Sequence, residues 1–112
     1  MPSPTGVGRR NLVSSSFKQY AFRATGNTAL TYTEFVFINQ ADGSADDTKN
    51  FMSSYIRLIN NGGIDLEYSF DGVNSHGILI GGSSIVDERR EYSIFVRRPV
   101  GFAATAFVLE VW

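Results

Sequence analysis

The sequence predicts an all-β fold: one antiparallel β-sandwich, jelly-roll-like or Ig-like, or else a flattened barrel, with an extended N-terminal arm. Three observations lead there. Ile64, Leu66, Tyr68 and Phe70 alternate with Asp65, Glu67, Ser69 and Asp71, which is the period of a strand with one buried face and one wet face. Turn signals recur at roughly 8–12-residue intervals, the spacing of short strands in a sandwich or barrel. Aromatics make up 13% of the chain, charged residues only 19%, and there are eleven glycines, a balance that suits short strands joined by tight turns. No stretch carries apolar residues at helical spacing for more than a couple of turns, and no internal repeat is visible.

The elements follow in order. Residues 1–11 read as an arm, because Pro2, Pro4, Gly6 and Gly8 exclude a regular element. Residues 12–112 form the domain. Leu12 to Phe22 is β-prone and is broken by Gly26-Asn27. Thr31 to Ile38 is a second strand, whose closing run Phe35-Val36-Phe37-Ile38 is apolar on both faces and so expected to be covered on both. Asn39 to Asn50 is a polar loop. Phe51 to Ile59 is a strand, with a short helix as the alternative, and Asn60-Asn61-Gly62-Gly63 ends it. The alternating strand at 64–70 closes on Asp71-Gly72. His76 to Ile80, Ser84 to Asp87, Tyr92 to Arg98 and Ala103 to Trp112 complete the set. In the last strand Phe107, Leu109 and Val111 share one face, and Val108, Glu110 and Trp112 the other.

A chain of 112 residues has room for one domain. The net charge of −1 lacks the basic excess of a dedicated nucleic-acid binder. No apolar run is long enough to span a membrane, and the first residues lack the apolar centre of a secretory signal, so synthesis in the cytoplasm is expected. The charge is unevenly placed, +3 over residues 1–40 and −4 over residues 41–112. A basic start and an acidic body favour head-to-tail contact between copies or with a partner.

Candidate chemistry is sparse. His76 is the one histidine; a catalytic role would need Asp71 to orient it and a serine presented on a sharp turn, and no Gly-x-Ser-x-Gly occurs. We therefore read it as a turn residue and expect no catalytic residues and no cofactor. One histidine without cysteine leaves no typical zinc set. Asp42, Asp46 and Asp47 share a loop, but their spacing is not that of a calcium-binding loop. Gly62-Gly63 and Gly81-Gly82 lack the lysine and following helix of a phosphate cradle, and read as turns. Arginine outnumbers lysine eight to two, with pairs at Arg9-Arg10, Arg89-Arg90 and Arg97-Arg98. Arginine with aromatics such as Phe102 and Trp112 points to a protein-binding surface. The candidate partner-binding residues are Arg9, Arg10, Leu12, Arg97, Arg98 and Trp112.

The segments Ile56-Arg57-Leu58-Ile59-Asn60-Asn61-Gly62-Gly63, Leu66-Glu67-Tyr68-Ser69-Phe70-Asp71-Gly72-Val73-Asn74-Ser75-His76-Gly77 and Phe107-Val108-Leu109-Glu110-Val111-Trp112 resemble small β-sandwich structural proteins of tailed bacteriophages. The resemblance spans about half the chain, from Ile56 onward, and carries no catalytic residue. It implies a virion component made in the host cytoplasm: a capsid decoration (cement) protein bound to the major capsid protein at the capsid surface, or a head–tail connector or tail or fibre part. It also implies a homo-oligomer, with a trimer favoured, and no nucleic-acid or membrane partner. A carbohydrate-binding module is the expectation from a different class, since exposed aromatics on a sandwich stack on sugars.

Overall fold

Eight short strands pair into two four-stranded antiparallel sheets in a computed structural model that describes residues 20–40 and 49–112. They are β1 (Phe22–Asn27), β2 (Thr33–Val36), β3 (Ile56–Asn60), β4 (Leu66–Ser69), β5 (Gly77–Leu79), β6 (Ser84–Asp87), β7 (Ser93–Arg97) and β8 (Ala106–Val111). One sheet has the order β1-β8-β3-β6 and the other β2-β7-β4-β5. The pairs β1·β8, β2·β7, β3·β6 and β4·β5 are nested, as if one long hairpin had been rolled up. That nesting is the jelly roll, one of the two sandwich types expected. The sheets are not joined edge to edge, so the flattened barrel is excluded.

The period-two pattern selects what faces inward. Ile56 and Leu58 of β3, Phe107, Leu109 and Val111 of β8, Leu66 of β4, Leu79 of β5, and Ile94 and Val96 of β7 are all buried between the sheets. Phe22 and Phe107 from one sheet meet Phe37 and Phe35 from the other, with ring centroids 5.8 and 5.5 Å apart. Burying side chains of this size contributes roughly 1.5–3 kcal/mol each.

The connections after β1, β3, β5 and β7 gather at one end; Asn60 holds the last three, and Thr28 joins the first to them through Thr105. Its amide donates to Ile64 O at 2.8 Å and Leu79 O at 2.9 Å, and its carbonyl accepts from Thr105 Oγ1 at 3.0 Å and Gly62 N–H at 3.2 Å. At Gly62 a Cβ would lie 1.9 Å from Thr105 Oγ1, so the loop passes too close for any side chain. At the other end Ser53 Oγ donates to Arg89 O and accepts from Glu91 N–H at 3.0 Å, tying the β2–β3 and β6–β7 connections together.

Several boundaries differ from the sequence reading. The first strand runs through Gly26-Asn27, because the whole of β1 is paired with β8 and the Phe107 ring lies over Gly26. Val36 is 40% exposed while Ile38 is partly buried against the core, so the second face of the closing run is covered only in part. Phe51–Ser54 precedes β3 instead of joining it, and β8 begins at Ala106. Ser69, expected on the wet face, is fully buried under the following turn. The arm and the aspartates at 42–47 lie outside the described residues.

Replacing Asn60 with alanine strands two carbonyls and one hydroxyl in the interior. We expect Asn60→Ala to lower the unfolding free energy by about 2–4 kcal/mol and Thr105→Val by about 1 kcal/mol, measured by urea denaturation.

Candidate functional site

The outer faces of the two sheets differ in how much of themselves they cover. On the β2-β7-β4-β5 sheet, Arg97 Nε donates to Glu67 Oε1 at 2.7 Å and its guanidinium stacks on the Tyr32 ring, 4.1 Å from the centroid. The hydrogen bond to Glu67 raises the Arg97 guanidinium above its ordinary pKa. Tyr32 meets Phe95 edge-on at 6.4 Å. The turn after β4 folds back over Phe95: Gly72, at φ +76°, lies so close that a Cβ would sit 2.9 Å from the ring. That turn is organised by Asp71, whose Oδ1 accepts from Val73 N–H and Asn74 N–H, both at 2.8 Å, and from Ser69 Oγ at 2.9 Å. Its Oδ2 accepts from Asn74 Nδ2 at 3.0 Å. These donors, the Val73 and Asn74 amides foremost, hold the Asp71 carboxyl well below the usual carboxylate range.

His76 belongs to the same turn. Its Nδ1 accepts from Phe70 N–H at 3.0 Å, and its ring packs against Phe70 at 5.4 Å. Asp71 and His76 thus serve different partners: Asp71 accepts from Ser69 and the turn amides, and His76 from Phe70. Among the described residues no group of three or more His, Asp or Glu side chains is placed to hold a metal ion.

The β1-β8-β3-β6 sheet keeps an open outer face. The strand registers line up Arg23, Glu110, Arg57 and Val86 in one row across all four strands. Glu110 receives Arg23 at 3.6 Å and Arg57 at 3.5 Å, so two guanidiniums share one carboxylate. Beside this row Tyr55 and Trp112 exchange both backbone hydrogen bonds, 3.2 and 2.9 Å, and Tyr20 meets the Trp112 ring edge-on at 6.4 Å. Tyr55, Arg57, Ser84, Val86 and Trp112 line an open, mostly apolar concavity of about 520 Å³. Tyr55 is 45% exposed and Val86 63%.

Of the singled-out residues that lie among those described, Arg97, Arg98 and Trp112, only Trp112 lies at this concavity. Arg97 is held on the opposite sheet by Glu67 and Tyr32. Arg98 donates its backbone N–H to Ala29 O at 2.9 Å, and its buried Nε has no hydrogen-bond partner among the described residues. Arg9, Arg10 and Leu12 lie outside the described residues. The Arg89-Arg90 pair is partly used internally, since Arg89 pairs with Glu91 at 2.7 Å and lies 4.0 Å over the Phe70 ring. Sequence reasoning missed Tyr55, Arg57 and Val86. The Tyr55-x-Arg57 spacing within a strand was the available signal, but it needs the register to become a site.

Comparison with protein-family models, with curated proteins and with solved structures finds no match to this chain.

Two measurements test these assignments. Arg97→Ala should lower the melting temperature by roughly 5 °C, while Arg57→Ala should leave it within roughly 2 °C, because only the first loses a close ion pair and a ring stack. For Asp71, the lowered folded-state pKa means that its stabilisation is full above its unfolded pKa, about 4, and is lost as the pH falls further. The gap in melting temperature between wild type and Asp71→Ala should therefore be constant from pH 7 to 5 and narrow steadily from pH 4 to 2.

Proposed function

We propose that this chain is a non-enzymatic structural protein of a bacteriophage virion, a capsid decoration (cement) protein that binds the major capsid protein and stabilises the shell. The observation that carries this reading is the open sheet face on which Trp112, Tyr55 and Arg57 surround one concavity. Tryptophan, tyrosine and arginine are the residue types that dominate binding energy at protein interfaces. The side chains best suited to catalysis, Asp71 and His76, are occupied in shaping a turn. A jelly roll is a fold used by viral capsid domains, although fold alone does not fix function. The resemblance of residues 56–112 to small virion proteins supports the same reading, which extends to a head–tail or tail site if the partner is not the capsid shell. In it, Arg9, Arg10 and Leu12 add contacts from the arm, and the protein self-associates, as a trimer, on a symmetric lattice.

A second reading has an observation of its own. An aromatic pair in a concavity of about 520 Å³ is also a shape that takes a sugar ring. A glycan array separates the two.

The test uses shells assembled from the major capsid protein encoded alongside this chain. Wild type should co-sediment with them. Deleting residues 1–10 should weaken binding while the melting temperature holds within a few degrees. Trp112→Ala should weaken binding by roughly 2 kcal/mol, about 30-fold, at an unchanged fold. Undiminished co-sedimentation of both variants, or none by the wild type, would overturn the reading.

A further inference from the structure

We propose that the outer edge of β6 takes up an extended segment of a partner protein as an added strand, one that carries an acidic side chain and, two residues on, a large apolar one. The inference rests on reading the β1-β8-β3-β6 face as a protein interface, and specifies how that interface is made.

β6 is the edge strand of its sheet. In an antiparallel ladder, alternate residues direct their backbone groups to one neighbour. The bonds from Asn60 N–H to Ser83 O, 2.9 Å, and from Gly82 N–H to Asn60 O, 3.0 Å, set the phase. Ile85 and Asp87, opposite Leu58 and Ile56, therefore turn their backbone groups toward β3. Ser84 and Val86 turn theirs away from the sheet, and among the described residues no strand pairs with them. The same two residues line the concavity with their side chains. Unprotected backbone donors and acceptors and an exposed apolar wall thus come from one pair of residues. A chain that adds a strand here gains main-chain bonds and side-chain contacts at once. Natural edges are commonly blunted by lysine, proline or a bulge. β6 reads Ser84-Ile85-Val86-Asp87: it has neither lysine nor proline, and its protections are its four-residue length and Asp87.

The chemistry of the added strand follows from the row it extends. The residue opposite Val86 shares the outer face with Arg57, two strands away, at about 10 Å between backbones. Extended arginine and glutamate side chains together span that distance. Since Arg23 and Arg57 share Glu110, the row keeps one positive charge in excess, which an acidic side chain in the added strand neutralises. In a strand added parallel to β6, a residue two positions along lies on the same face, level with Tyr55 and Trp112, where a large apolar side chain fills the concavity.

The experiment is an amide NMR titration of the full chain with a capped nine-residue peptide of alternating threonine and valine. The peptide carries one glutamate and, two residues on, one leucine. Binding should shift the amides of Ser84, Val86 and Arg57 together with the Trp112 indole N–H. Replacing the glutamate with lysine should weaken binding by about tenfold. N-methylating the peptide amides on the side that meets β6 should abolish it, and so should Val86→Asp, which sets a like charge opposite the glutamate and whose dispersed spectrum reports an intact fold. Equal binding of the N-methylated peptide, or no binding of any alternating peptide, overturns the proposal. So do shifts at Tyr55 and Trp112 alone on adding an oligosaccharide, and concentration-dependent β6 shifts without peptide, which would mean a second copy at the edge. Shell co-sedimentation of Val86→Asp separates this inference from the virion reading. Retained shell binding with lost peptide binding overturns the added strand alone. Failure of the wild type to bind shells overturns the virion reading and leaves the peptide result standing.

Discussion

The four hydrogen bonds of Asn60 are the constraint on which this sandwich turns. Asn60 sits at the inward-facing end of β3, where a polar amide is costly unless every donor and acceptor is met. Here both amide donors and both carbonyl acceptances are used, and the partners belong to different parts of the fold: the β3–β4 turn, the end of β5, and the entry to β8. One side chain therefore ties together both sheets and fixes where three connections cross. The close approach at Gly62 and the backbone contact between Gly81 and Gly63 follow from that gathering. An apolar residue could fill the space but could not specify the crossing.

The two outer faces show how the rest of the surface is divided. One sheet shields itself, with the Asp71 turn over Phe95 and the Arg97 stack on Tyr32. The other presents Tyr55, Arg57 and Trp112, and among the described residues no turn folds across them. The difference lies in the connections: the β4–β5 turn is anchored by Asp71 and Gly72 so that it lies back on its own sheet. The surface left open is aromatic and basic, and it adjoins an open strand edge.

The sandwich was legible in the sequence because its signal is local. Alternation through residues 64–70 and 107–112, and glycine turns at 62–63, 72 and 81–82, each report on their own strand or turn. The errors arose where tertiary pairing overrode local preference. Gly26-Asn27 reads as a turn but is held in β1 by β8, and Ser69 reads as solvated but lies under a turn that comes later in the chain. The candidate site was half legible. Trp112 stood out by type, but Tyr55, Arg57 and Val86 become neighbours only through the registers of β3 with β8 and β6. Arg97 was misleading for the same reason, since nothing local announces Glu67 and Tyr32 as its partners.

The nesting of the strands also governs how the chain can reach this state. In a rolled hairpin only the innermost pair, β4 with β5, joins strands adjacent in sequence within a sheet. Each pair outside it closes a longer loop, and the outermost, Phe22 opposite Val111, joins the two extremes of the folded sequence. Topologies dominated by such distant contacts fold in milliseconds to seconds, where helical bundles take microseconds to milliseconds. Until β8 takes its place between β1 and β3, two strand edges that the finished sandwich hides, one on each of those strands, stand open together. A chain produced in many copies at once would meet its own kind in that state, so its yield depends on how fast β8 arrives.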